Sequence, residues 1–190
     1  MDAMSILKVA IPAFGIIGAL LYFSQRNRVP ETFGGTVSGE TMQREMDAAI
    51  AHARVTVDDF IAALTSEFGT DFSVKKMFED AESDRSEHAW LTDLTYKDGV
   101  FTGKLGNDMA FLKKYKLGET YSVHRDDISD WMFIRDDKMH GNFTMRPLFY
   151  NMSPQEVTEW KQQLADPELT FAQPETQPEP ESVPAEQSGA

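Results

Sequence analysis

Met42, Met46, Ala49, Ile50, Ala53, Val57, Phe60, Ile61 and Leu64 recur at three- and four-residue steps, the period of a helix with one apolar stripe. The stripe predicts helix over residues 40–68 and packing against a sheet. Thr56 before Val57, Asp58 and Asp59 reads as an N-cap with acids in the first turn, so the segment divides near Val55 into a helical hairpin. Gly69 is the expected stop. Beyond it the period falls to two, and residues 72–78, 89–97, 100–105, 120–124, 128–135 and 139–148 read as strands. Asp98-Gly99 is a hairpin turn of the type that needs positive φ at both positions, which sets Tyr96 opposite Phe101, Thr92 opposite Leu105 and Asp93 opposite Lys104. A second turn at Asp136-Asp137 would set Arg135 against Lys138, a like-charge pair that leaves its register open. Gly141 marks a bulge or a close backbone approach. Residues 109–117 suggest a short helical turn, and Ser153-Pro154-Gln155-Glu156 is a capped start for a closing helix. The sum is an α+β domain: an amphipathic helix or helical hairpin, a five- to six-stranded largely antiparallel sheet and a final helix.

A different pattern precedes this body. Residues 6–23 are apolar apart from Lys8, and at about 1.5 Å per residue the stretch nearly matches a hydrocarbon core of roughly 30 Å. Residues 1–25 therefore read as an N-terminal transmembrane helix, since Leu-Tyr-Phe-Ser-Gln-Arg offers no small-residue cleavage site. The lipid bilayer is the expected partner, with a single pass through a bacterial inner membrane. Lys8 on one side and Arg26 with Arg28 on the other leave the orientation open. Residues 26–39 read as a flexible linker, 40–166 as a single domain, and 167–190, with five prolines, five glutamates and no lysine or arginine, as a disordered acidic tail.

The net charge of −13 divides as +1 for residues 1–39, −9 for 40–166 and −5 for 167–190, which removes the electrostatic attraction that nucleic-acid binding requires. Without cysteine there is no disulfide, zinc-thiolate site or thiol nucleophile. No phosphate-binding glycine loop, zinc-protease motif or serine-hydrolase elbow occurs, and no cofactor is implied.

The candidate chemistry is sparse. Glu87-His88 supplies a base or ligand, but neighbours on a strand point to opposite faces, which favours a hydrogen-bonded structural histidine. His124, Asp126, Asp127 and Asp130 form either a hard-cation site or an acidic turn; the turn is the reading adopted, and no metal is assigned. Asp130 facing Arg146 beside Trp131 and Thr144 suggests a bidentate latch, whereas Trp90, Trp131 and Arg146, with Glu87, suggest the rim of an aromatic patch for a protein partner. The leading expectation is a membrane-tethered, non-enzymatic binding or accessory module. The alternative is a small hydrolase-like or metal-binding enzyme using His88 or His124 with Asp127 or Asp130.

The series Phe72-x-Val74-Lys75, Glu87-His88-x-Trp90-Leu91, Phe101-x-Gly103-x-Leu105-x-Asn107, Ile128-Ser129-Asp130-Trp131-Met132 and Gly141-x-Phe143-Thr144-x-Arg146 resembles the YegJ-like bacterial family, domain of unknown function 2314, over about residues 45–150. Gly118-Glu119 and Gly141-Asn142 stand where the family pattern has Gly-Asp and Gly-Gly. The resemblance implies a shared fold and no particular activity.

Overall fold

A computed structural model describes residues 39–82 and 85–165. The expected anchor and tail lie outside these residues, as does the expected linker apart from Gly39, which already opens a helix. Among the described residues no helix is long and apolar enough to cross a membrane.

The apolar stripe becomes two helices, α1 (Gly39–Val55) and α2 (Val57–Thr65), broken at Thr56. Thr56 does not cap α2: its hydroxyl donates back to the His52 carbonyl at 2.8 Å. Gly69 lies beyond the helix end, and its reason is proximity, since a Cβ there would stand 2.7 Å from the Phe133 ring and 2.8 Å from the Ile134 carbonyl.

Six strands follow: β1 (Thr70–Asp80), β2 (Arg85–Lys97), β3 (Val100–Leu105), β4 (Thr120–His124), β5 (Ile128–Arg135) and β6 (Lys138–Gly141). They form one antiparallel sheet in the order β4-β3-β2-β1-β5-β6. This order has a geometric consequence. Four strand spacings separate β4 from β5, about 19 Å in a flat sheet, yet the four residue steps from His124 to Ile128 reach at most about 15 Å. The sheet is therefore curled, and the Lys76 ammonium on β1 reaches across it to the Ser122 carbonyl on β4 at 3.0 Å. Bulges in the β1–β5 and β2–β3 ladders add the local bend that curling needs.

At the first hairpin Asp98 and Gly99 both take positive φ, and Tyr96 pairs with Phe101 as expected. A bulge at Asp93 and Leu94 then slips the register by one, so Leu91 rather than Thr92 faces Leu105, which joins two buried leucines in the core. The Asp93–Lys104 ion pair survives the slip at 3.0 Å. The second hairpin does turn on Asp136-Asp137 and does set Arg135 against Lys138. Arg135 is offset by Asp136 at 3.4 Å and the Phe68 ring at 4.6 Å, and Lys138 by the Gln162 carbonyl.

Two further expectations fail. The last strand stops at Gly141 rather than Leu148, because Gly141 and Asn142 turn left-handed and a 3-10 segment, Phe143–Asn151, follows. A Cβ at Gly141 would collide with the Trp131 carbonyl and ring, so close approach explains this glycine. Residues 109–117 form no helix; their conformation is held by Glu87, as described below. The closing helix α3 (Pro154–Gln163) begins with the expected capping box between Ser153 and Glu156.

Core residues lie on both faces of the sheet. Ala49, Ala53, Val57 and Phe60 of α1 and α2 pack on Val74, Leu91, Phe101, Trp131 and Phe133. On the other face Trp90, Met132 and Met139 meet Met145, Trp160 and Leu164 from the 3-10 segment and α3.

Candidate functional site

Strand register decides which side chains meet. Lys75 pairs with Trp90 on one side and with Asp130 on the other, so the three form one row across β2, β1 and β5. The Lys75 ammonium lies 4.5 Å from the Trp90 ring centroid, 2.5 Å from the Thr144 hydroxyl and 3.9 Å from the Asp130 carboxylate. Burial pushes Lys75 below its ordinary value, and Asp130 opposes that shift. Asp130 is fully buried and accepts from the backbone N–H groups of Trp131, Phe143 and Thr144 and from the Thr144 hydroxyl at 2.6–3.1 Å. A carboxylate so saturated is a clamp between β5 and the 3-10 segment. The expected Asp130–Arg146 latch is thus replaced: Thr144 and Lys75 take that role, while Arg146 donates to the Gly141 and Asn142 carbonyls, each at 3.2 Å.

Trp90, Trp131 and Arg146 do not share one open rim, being only 8%, 6% and 8% exposed. Trp131 stacks on Phe60 at 5.4 Å and donates through Nε1 to the Ala53 carbonyl at 3.0 Å, whereas Trp90 belongs to the core on the opposite face. Glu87 is also buried. Its carboxylate accepts from the backbone N–H groups of Ala110, Phe111 and Leu112 at 2.5, 2.9 and 3.3 Å, an anion-binding turn satisfied from within the chain.

An open groove of about 1300 Å³ lies between α1, the β1–β2 hairpin, β4 and the loop before β4. Gln43, Asp47, Ile50 and Arg54 form one wall, and Tyr121, Ser122 and His124 another. His88 opens into it, with Nδ1 2.8 Å from the Ser129 hydroxyl. Ser129 in turn donates to the Lys75 carbonyl at 3.2 Å. Burial, then the Lys75 and Arg54 cations, push His88 below its ordinary value of 6.5. His124 and Asp127 reach the same groove, and His124 contacts Asp126 at 3.4 Å on the exposed turn. Among the described residues no three His, Asp or Glu side chains come together as a metal site.

Sequence reasoning gave no role to Arg54, Lys75 or Ser129. Lys75 and Ser129 stand in the family-like series without assigned chemistry, because it is the β1–β5 bulge and a contact between α1 and β5, 74 residues apart, that brings them and Arg54 to His88.

The chain matches the family model described as "Uncharacterized protein conserved in bacteria (DUF2314)" over residues 43–166. It is 34% identical over 146 residues to the uncharacterized protein YegJ of Escherichia coli K12, a match covering 77% of this chain and 94% of that protein. It is also 34% identical over 121 residues to a Neisseria meningitidis serogroup B protein named for ankyrin repeats, covering 60% of this chain and 47% of the other. No solved structure matches it.

Proposed function

Because the chain belongs to DUF2314, a family of uncharacterised proteins conserved in bacteria, no activity is inherited from its relatives, and we propose from the groove that it is a binding module. The observation that carries this reading is the groove itself, about 1300 Å³ of open space lined by both charge signs and by the apolar Ile50 and Met77. Such a lining suits recognition, with polar groups to orient a ligand and apolar ones to desolvate it. The buried tryptophans then serve packing, and the recognition surface moves to α1, β1, β2 and β4. We assign the apolar residues 6–23 to a single-pass inner-membrane tether, which keeps this acidic body beside the bilayer.

The hydrolase alternative draws on one contact, the 2.8 Å pair of Ser129 and His88. A base in that pair must become cationic as it accepts the serine proton. Here its named electrostatic neighbours are the Lys75 and Arg54 cations, which oppose that charge. The Asp130 carboxylate that would stabilise an imidazolium is committed to the 3-10 segment instead. Binding therefore outranks turnover.

A ligand-observed magnetic-resonance screen of small metabolites and peptides against the full chain tests the groove. Compounds that bind should be displaced by Ser86→Trp, which plugs the groove from an exposed lining position. Hits indifferent to that plug would count against it.

A further inference from the structure

Arg54 and His88 come from elements far apart in sequence, yet they dock on consecutive residues. Arg54 Nε donates to the Ile128 carbonyl at 2.8 Å, and His88 Nδ1 meets the Ser129 hydroxyl at the same distance. Holding Nε in this way fixes the guanidinium plane, and its Nη groups make no ion pair or hydrogen bond among the described residues. Both side chains line the groove.

None of the groove's four acids pairs with Arg54 or His88. Asp80 is bound by Lys114 at 2.6 Å, Asp47 accepts from Gln43 at 2.9 Å, Asp127 acts on Lys76, and Glu79 is exposed near the end of β1. The charges that act on His88 are Lys75 and Arg54, both positive; Lys75 is offset by Asp130 and lies outside the groove lining, whereas Arg54 has no acid partner among the described residues. A protein of net charge −13 thus keeps an arginine without a counter-acid beside a histidine in an open groove. Such a cation is relieved by a bound anion.

The Ser129 hydroxyl lies 3.2 Å from the Lys75 carbonyl and 2.8 Å from His88 Nδ1, which occupies that ring nitrogen and leaves Nε2 for a ligand. An anion at that edge favours the ring protonated at both nitrogens.

We propose that Arg54 and His88, positioned by Ile128 and Ser129, form an oxyanion subsite in the groove that takes a phosphate group, free or esterified. The Arg54 fork supplies two parallel N–H donors, and protonated Nε2 of His88 supplies a third. A dianion is favoured over a carboxylate because Arg54 and protonated His88 together present two positive charges on the groove wall. The proposal rests on the groove being the recognition surface and specifies what one end of it holds.

The test is titration of the full chain with inorganic phosphate, following the His88 ring signals across pH. Around the ring, the groups entering its titration are Lys75 and Ser129 from the sheet and Arg54 from α1, with Asp47, Lys76 and Asp127 further along the groove. Saturable binding should raise the His88 pKa, and Arg54→Gln should weaken binding roughly tenfold or more and abolish the rise. Arg54 is exposed, so an unchanged melting temperature of the variant certifies its fold. Absence of saturable binding, binding indifferent to Arg54→Gln, or an equal Arg54-dependent response to acetate would each overturn the proposal. Compounds that are displaced by Ser86→Trp yet survive Arg54→Gln, with phosphate failing to bind, would overturn this subsite alone and leave the groove reading standing.

Discussion

Asp130, fully buried, and His88, open to the groove, show how differently one residue can act in this fold. Asp130 is a fully buried acceptor whose partners are all donors. An amide in its place would aim N–H at N–H, and the nearby Lys75 would lose its counter-charge. Asp130→Asn is therefore expected to lower stability by about 3 kcal/mol or more, read from the midpoint of urea unfolding, whereas Asp126→Asn on the exposed turn should leave that midpoint in place. His88 acts through protons. Its folded pKa lies below 6.5, so as pH falls through 6.5 the unfolded chain binds the proton first and stability declines until the folded ring also titrates. Above 6.5 its contribution is constant. Melting temperatures at pH 7.5 and 5.5 should therefore diverge more for the wild type than for His88→Gln; an equal or larger loss in the variant would contradict the assigned direction.

Elements carry the next level of constraint. Glu87 ties β2 to the loop before β4 through three backbone N–H groups, a substitute for the helical turn that residues 109–117 suggested. Glu87→Gln should speed amide exchange at Ala110, Phe111 and Leu112 while the amides of β1 and β5 keep their protection. Protection lost across the whole sheet would show instead that Glu87 supports the global fold. The residues that announced their elements did so through local rules: the helix stripe, the two positive-φ turns, the Ser153 capping box. Those that misled were governed by tertiary contacts. Gly141 ends β6 because Trp131 lies against it, and the Asp93 bulge is chosen by the pairing of Leu91 with Leu105. The candidate site was legible at His88, His124 and Asp127, which the structure places on one groove. Arg54, Lys75 and Ser129 become neighbours of His88 through pairings across the sheet and onto α1, which periodicity along the chain does not encode.

At the scale of the whole molecule, the short link from β4 to β5 curls the sheet, and the groove lies where α1 faces the curled edge. The stretch 40–166 has net charge −9 and so is repelled by an anionic leaflet instead of adhering to it. Any lasting membrane association of the full chain must then come from the apolar residues 6–23, by partition and not by charge. The two origins respond oppositely to salt. Surface attraction fades at ~1 M salt, where the screening length shrinks to about 3 Å, while hydrophobic insertion persists. The full chain should therefore stay in the membrane fraction through a high-salt wash and leave it only in detergent. A chain beginning at residue 39, where α1 begins, should appear in the supernatant with an unaltered melting temperature. Release of the full chain by salt, or retention of the shortened one, would remove the tether from the proposed function and leave the groove to act without it.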